Sequence, residues 1–162
     1  MIPFIVMVVG CVAFRLLGAV NVLPAAGSWS GALRFALALM FLFTGAAHFF
    51  PRGRTEMTRM VPPGLPRPDV LVAVTGIFEL LGAAGLLVPG LVRASAYALI
   101  ALLVALFPAN VRAARMHLMV AGRPAMPLAI RLPLQLIWIG ALWWVARAEP
   151  LPLGSFAGAS GF

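Results

Sequence analysis

The chain has 162 residues, 63% of them hydrophobic and 10% charged, with a mean hydropathy of +1.06. Soluble domains run at roughly 45–50% apolar and about 25% charged residues, and a domain this small leaves too much surface in water to hide such a composition. An ordinary soluble fold is therefore excluded, and lipid must be part of the solvent. The twelve basic residues are all arginine, against four acids (Glu56, Asp69, Glu79 and Glu149), for a net charge of +8. Because the arginines fall in short segments between apolar runs, the charge reads as membrane topology rather than nucleic-acid binding.

Five apolar runs approach the ~20 residues that cross ~30 Å of hydrocarbon: Ile2–Leu23, Ala32–Phe50, Val70–Val88, Ala94–Val111 and Leu132–Ala146. Turn residues separate them at Pro24-Ala25-Ala26-Gly27, Pro62-Pro63-Gly64, Pro89-Gly90 and Gly122-Arg123-Pro124. Pro3 and Pro133 are read as first-turn prolines, which a helix tolerates. The first run lacks the basic n-region of a cleaved signal; Val8-Val9-Gly10-Cys11 looks like a lipoprotein processing box, but nothing basic precedes it. With Cys11 the only cysteine, an internal disulfide and multi-thiolate metal sites are excluded. The expected division is an added N-terminal helix over 1–31, a four-helix bundle over 32–148 and a loose tail over 149–162.

Arg52, Arg54, Arg59 and Arg67 follow the second run, and Arg112, Arg115, Arg123 and Arg131 follow the fourth. The opposite side has Arg34, Arg93 and Arg147. Positive-inside bias then places the N-terminus in the cytoplasm and the C-terminus outside a plasma (inner) membrane, with Trp29, Trp143 and Trp144 in the outer aromatic belt.

Polar residues inside lipid are expensive and mark function. Thr75, Glu79 and Gly82 share one face of the third helix, with Glu79 near the midplane. His48, Thr75, Asn110 and Gln135 lie within about two turns of one membrane surface by helical rise, so they are expected to line one cavity. Structural readings stand beside this. His48 can be an interfacial residue reaching water, Asn110 can satisfy the carbonyl freed by Pro108, and Gln135 can be interhelical glue. A histidine-rich metal site has no support, because His117 is in a loop. Ala94, Ala98, Ala101, Ala105 and Ala109 form a small-residue stripe, read as a packing face of a central helix.

Thr44-Gly45-Ala46-Ala47-His48-Phe49, Met60-Val61-Pro62-Pro63, Thr75-Gly76-Ile77-Phe78-Glu79-Leu80-Leu81-Gly82-Ala83, Phe107-Pro108-Ala109-Asn110 and Arg131-Leu132-Pro133-Leu134-Gln135 together resemble the DoxX-like small bacterial membrane proteins. The resemblance covers residues 33–147, with motif positions at His48, Glu79, Pro108, Asn110 and Gln135. It implies an all-α membrane four-helix bundle and a link to quinone or to an oxidoreductase partner. The first helix, with Arg15, has no counterpart in those motifs.

On this reading Glu79 is the proton carrier, since burial favours its neutral form, with His48 as its acid–base partner. His48 and Gln135 bond the ligand, Thr75, Asn110 and Arg131 join the ligand-binding set, and Asn110 orders the break at Pro108. The expected cofactor is a quinone, with no metal. The expected partners are membrane lipids and a soluble or membrane redox protein, with oligomerisation left open. Two alternatives remain: a lipid- or sterol-like ligand without electron transfer, and a structural anchor for a soluble redox enzyme. Matching depths, about 12 and 13.5 Å from the outer helix ends at helical rise, further suggest that Arg15 pairs with Glu79.

Overall fold

A computed structural model describes residues 2–116, 119–120, 123–124 and 126–149. His117 and the expected tail from residue 150 onward lie outside the described residues. Six α-helices account for the fold: α1 (Ile2–Ala19), α2 (Trp29–Ala47), α3 (Pro51–Met60), α4 (Pro68–Leu87), α5 (Val92–Arg115) and α6 (Leu128–Ala148). A 3-10 turn at Pro24–Ala26 and a two-residue antiparallel pair, Met119–Val120 with Arg123–Pro124, complete it. All but α3 are long and apolar enough to cross a membrane, so the protein is a multi-pass helical membrane protein with five spans.

The helix limits correct the apolar runs at several points. α1 stops at Ala19, because Asn21 adopts φ 60° and the Val22 and Leu23 amides turn back to the Leu17 carbonyl, a left-handed exit that asparagine tolerates. α2 begins three residues before Ala32, where the Ser28 hydroxyl accepts the Gly31 amide at 3.0 Å. α5 does not end at Asn110 but runs through Pro108 to Arg115. α6 starts at Leu128, which makes Pro133 an internal residue rather than a first-turn one. The polar α3 falls below any apolar threshold; Pro51 at its first position was the sequence signal for it.

α2 packs on α4, α4 on α5, α5 on α6, and α6 back on α2, closing a four-helix ring, with α1 laid against the outer side of α2. The apolar core joins Leu37, Met40 and Phe41 to Leu86, Val92, Leu99, Leu142 and Val145, with Met7 added from α1. Those residues extend from the middle of α2 to the helix ends beside the α4–α5 turn, where Gly90 takes φ +86°. The other half of the ring, toward the C-terminus of α2 and the arginine-rich segments, contains the buried polar side chains His48, Glu79 and Gln135.

Candidate functional site

Two short segments with the same pattern face each other across α2 and α4: Thr44-Gly45-Ala46-Ala47-His48 and Thr75-Gly76-Ile77-Phe78-Glu79. Glycine makes the approach feasible at both. A Cβ on Gly76 would lie 2.6 Å from the His48 Cβ, and one on Gly45 would lie 3.1 Å from the Glu79 Cβ. The antiparallel crossing gives the pair a local two-fold character. Thr44 Oγ1 donates to Glu79 Oε2 at 2.6 Å, while Thr75 Oγ1 lies 3.4 Å from His48 Nδ1. Each threonine thus reaches the titratable residue of the opposite segment.

His48 ends α2 as its C-cap rather than lying inside the span. Both it and Glu79 are buried, at 7% and 6% exposure, which corrects the reading of His48 as an interfacial residue in water. Its ring is oriented by a 2.8 Å bond between Nδ1 and the Val72 carbonyl. A carbonyl can only accept, so Nδ1 carries the hydrogen. Nε2 is then the lone-pair nitrogen of the neutral ring, and it lies 3.5 Å from Glu79 Oε1. A bare carboxylate facing a bare lone pair is repulsive, and a buried net charge is costly. One proton shared between the two groups removes both penalties, as neutral acid with neutral imidazole or as carboxylate with imidazolium.

A second polar cluster joins α5 and α6. Pro108 withholds an amide from the Val104 carbonyl and loosens that turn. The Gln135 amide donates to the adjacent Leu103 carbonyl at 3.0 Å, so Gln135, not Asn110, serves backbone near the break. Asn110 Oδ1 instead accepts from Arg131 Nη1 at 2.7 Å, and Arg131 Nε donates to the Met126 carbonyl at 3.1 Å.

His48, Thr75, Asn110 and Gln135 therefore do not form one set. The first two belong to the α2–α4 cluster and the last two to the α5–α6 cluster, and among the described residues no hydrogen bond joins the clusters. The groove of about 600 Å³ in this part of the molecule lies between α4 and α5, lined by Phe78, Leu81, Gly82 and Leu102 and by the alanines at 94, 98, 101 and 105. It contains none of the four. The alanine stripe is also corrected. α4 and α5 meet where Gly82 faces Leu99 and Gly85 faces Ser95, and those alanines lie beside that contact line, exposed.

Arg15 does not pair with Glu79. The guanidinium lies 5.6 Å from the Trp29 ring centroid, and the ion-pair partner of Glu79 is His48. With α1 ending at Ala19, Arg15 is one turn, about 6 Å, from the helix end, so the depth match is lost, and α2 stands between α1 and α4. Sequence reasoning also missed Thr44, the shortest contact of Glu79, although the duplicated Thr-Gly-x-x-His/Glu spacing was its signal. Among the described residues no group of three or more His, Cys, Asp or Glu side chains could hold a metal ion.

The chain matches no curated protein and no solved structure. One family model matches residues 37–146, a stretch that starts within α2, ends within α6 and leaves α1 outside. Since that match covers more than half of the chain and includes both polar clusters, the protein belongs to the family described as Domain of unknown function (DUF8561).

Proposed function

We propose that this is a proton-handling membrane protein associated with quinone-linked redox chemistry, in which His48 and Glu79 hold and exchange one proton. The observation that carries the reading is the Val72 bond to His48 Nδ1, which leaves Nε2 and the Glu79 carboxyl to share a proton. Thr44 orients the carboxyl from the other side. The DoxX-like motifs supply the redox association. A quinone would supply the electron-accepting carbonyls, whose reduction consumes protons. His48 and Gln135 spend donors on the Val72 and Leu103 carbonyls, so the pair is suited to moving a proton rather than to gripping a ligand. Electrons come from a partner oxidoreductase. The arginine-rich side faces the cytoplasm of a plasma membrane, with the N-terminus inside, by the positive-inside bias.

Lipid extraction and native mass spectrometry of the purified protein test the association: a co-purified quinone is expected. Infrared difference spectra between oxidised and reduced quinone should then contain a carboxyl band that Glu79→Gln removes. Absence of both the quinone and the band refutes the reading. A C-terminal reporter fusion active only in the cytoplasm would reverse the orientation. A second reading, a lipid-like ligand without electron transfer, is favoured by the α4–α5 groove, whose lining has Ser95 as its single polar side chain.

A further inference from the structure

At the arginine-poor end of the bundle, a cavity of about 250 Å³ is lined by Arg93, Tyr97, Ala146 and Arg147. Arg93 is held in place by α6, with Nε donating to the Ala146 carbonyl at 3.1 Å and Nη2 to the Glu149 carbonyl at 2.7 Å. A guanidinium has five N–H donors, so these two bonds leave hydrogens for a further acceptor. The Arg147 guanidinium is fixed over the Trp143 ring at 5.1 Å. Glu149, the acid at this end among the described residues, has its carboxylate 3.6 Å from Arg34. Among the described residues the cavity therefore has two positioned guanidiniums, a half-exposed phenol and no carboxylate of its own.

We propose that this is a phospholipid site, with the phosphate held by Arg93, Tyr97 and Arg147 and one acyl chain laid in the groove between α4 and α5. Two guanidiniums and a hydroxyl match the acceptor oxygens of a phosphodiester, which arginine binds through paired N–H donors. The depth agrees: Arg93 is the second residue of α5 and Arg147 the last but one of α6, so both lie at headgroup level. Ala94 and Ala98, which line the groove, follow Arg93 and Tyr97, which line the cavity, by one position each, so the two are neighbouring faces of the first turns of α5, about 100° apart around its axis. From Ala94 to Ala105 the groove runs eleven residues, about 16 Å at helical rise, close to half of the ~30 Å hydrocarbon core. That is the depth of one leaflet and suits a chain whose headgroup sits at the cavity. The proposal deepens the lipid-like reading of the groove and is independent of the His48–Glu79 pair.

The test is native mass spectrometry of the full chain released from nanodiscs of phosphatidylglycerol and phosphatidylethanolamine. The intact protein should keep one phospholipid. Arg147→Gln, which leaves the α6 carbonyls bonded to Arg93, should lower retention about tenfold, the loss of roughly one charge-assisted hydrogen bond. Ala98→Trp, which fills the groove and spares both arginines, should lower it as well, with helical content unchanged by circular dichroism in both variants. Loss with Ala98→Trp alone would refute the headgroup site while leaving a lipid-like ligand in the groove. Retention unchanged in both variants, displacement of the lipid by inorganic phosphate, or a second copy of the chain in place of lipid would each overturn the proposal.

Discussion

The two polar clusters of the bundle solve the same problem in different ways. Between α2 and α4, Glu79 lies eleven residues into its helix, about 16 Å from the start, where a fixed charge is most costly. There the carboxyl meets a histidine and a threonine, and one proton shared as proposed would leave the group neutral overall. Between α5 and α6, Arg131 is the fourth residue of its helix, about 4.5 Å from the start. It keeps a permanent charge and is met by neutral acceptors, the Asn110 amide and the Met126 carbonyl. Depth explains the difference: near the membrane surface a guanidinium can remain ionised, whereas at the midplane only a group able to trade its proton is tolerated. The first cluster therefore contains two groups able to take up or release a proton, and the second contains none.

Substitutions can break this contrast, the deepest site first. Glu79→Ala should destabilise the protein by about 2–4 kcal/mol, because it opens a cavity, leaves the His48 Nε2 lone pair without a partner and leaves the Thr44 hydroxyl only its 3.4 Å contact with the Phe41 carbonyl. Glu79→Gln should cost under about 1 kcal/mol, since an amide can accept from Thr44 and donate to Nε2. Thermal unfolding in detergent checks both, and equal losses would refute the hydrogen-bond account of the pair. Gly76→Ala comes next, at about 1–3 kcal/mol, because the added methyl meets the His48 Cβ and ring. Gly45→Ala should cost less: the closest atoms there, 3.0 Å away, belong to the flexible Leu80 side chain.

Arg131→Met should cost about 1–2 kcal/mol by leaving Asn110 Oδ1 without its donor. Because a guanidinium does not titrate, that loss should be the same at mildly acidic and mildly alkaline pH in denaturant unfolding. The smallest effect is expected for Arg15→Leu. Among the described residues Arg15 Nε is buried without a hydrogen-bond partner, and the cation–π contact with Trp29 is long, so the change should stay within about 0.5 kcal/mol. A larger loss would show that α1 is held by Arg15 rather than by apolar contact with α2.

The five spans were legible from composition because hydrocarbon imposes a length and a polarity on any helix that crosses it. Their limits were less so. Asn21, Ser28 and Pro133 act through local backbone geometry that a hydropathy window averages away. The exceptional residues were legible too, since Glu79, His48 and Gln135 stand out against their apolar neighbours, and these are the three buried polar side chains of the described structure. Their grouping was not. Depth along a helix follows from residue number, but the direction in which a side chain leaves the axis, and the helix it meets, depends on how the ring closes.

The amino-acid sequence by itself therefore determined the solvent, the number of spans and the midplane position of Glu79, because these depend on composition and helical rise, whereas the depth of Arg15 also depended on the end of α1 at Ala19, which the backbone at Asn21 sets. Tertiary structure decided which depths become contacts. α2 intervenes between Arg15 and Glu79, and glycines at 45 and 76 let α2 and α4 approach until Thr44 and His48 reach the carboxyl. A hydrogen bond requires distance and direction across two helices together, and no single stretch of chain encodes both.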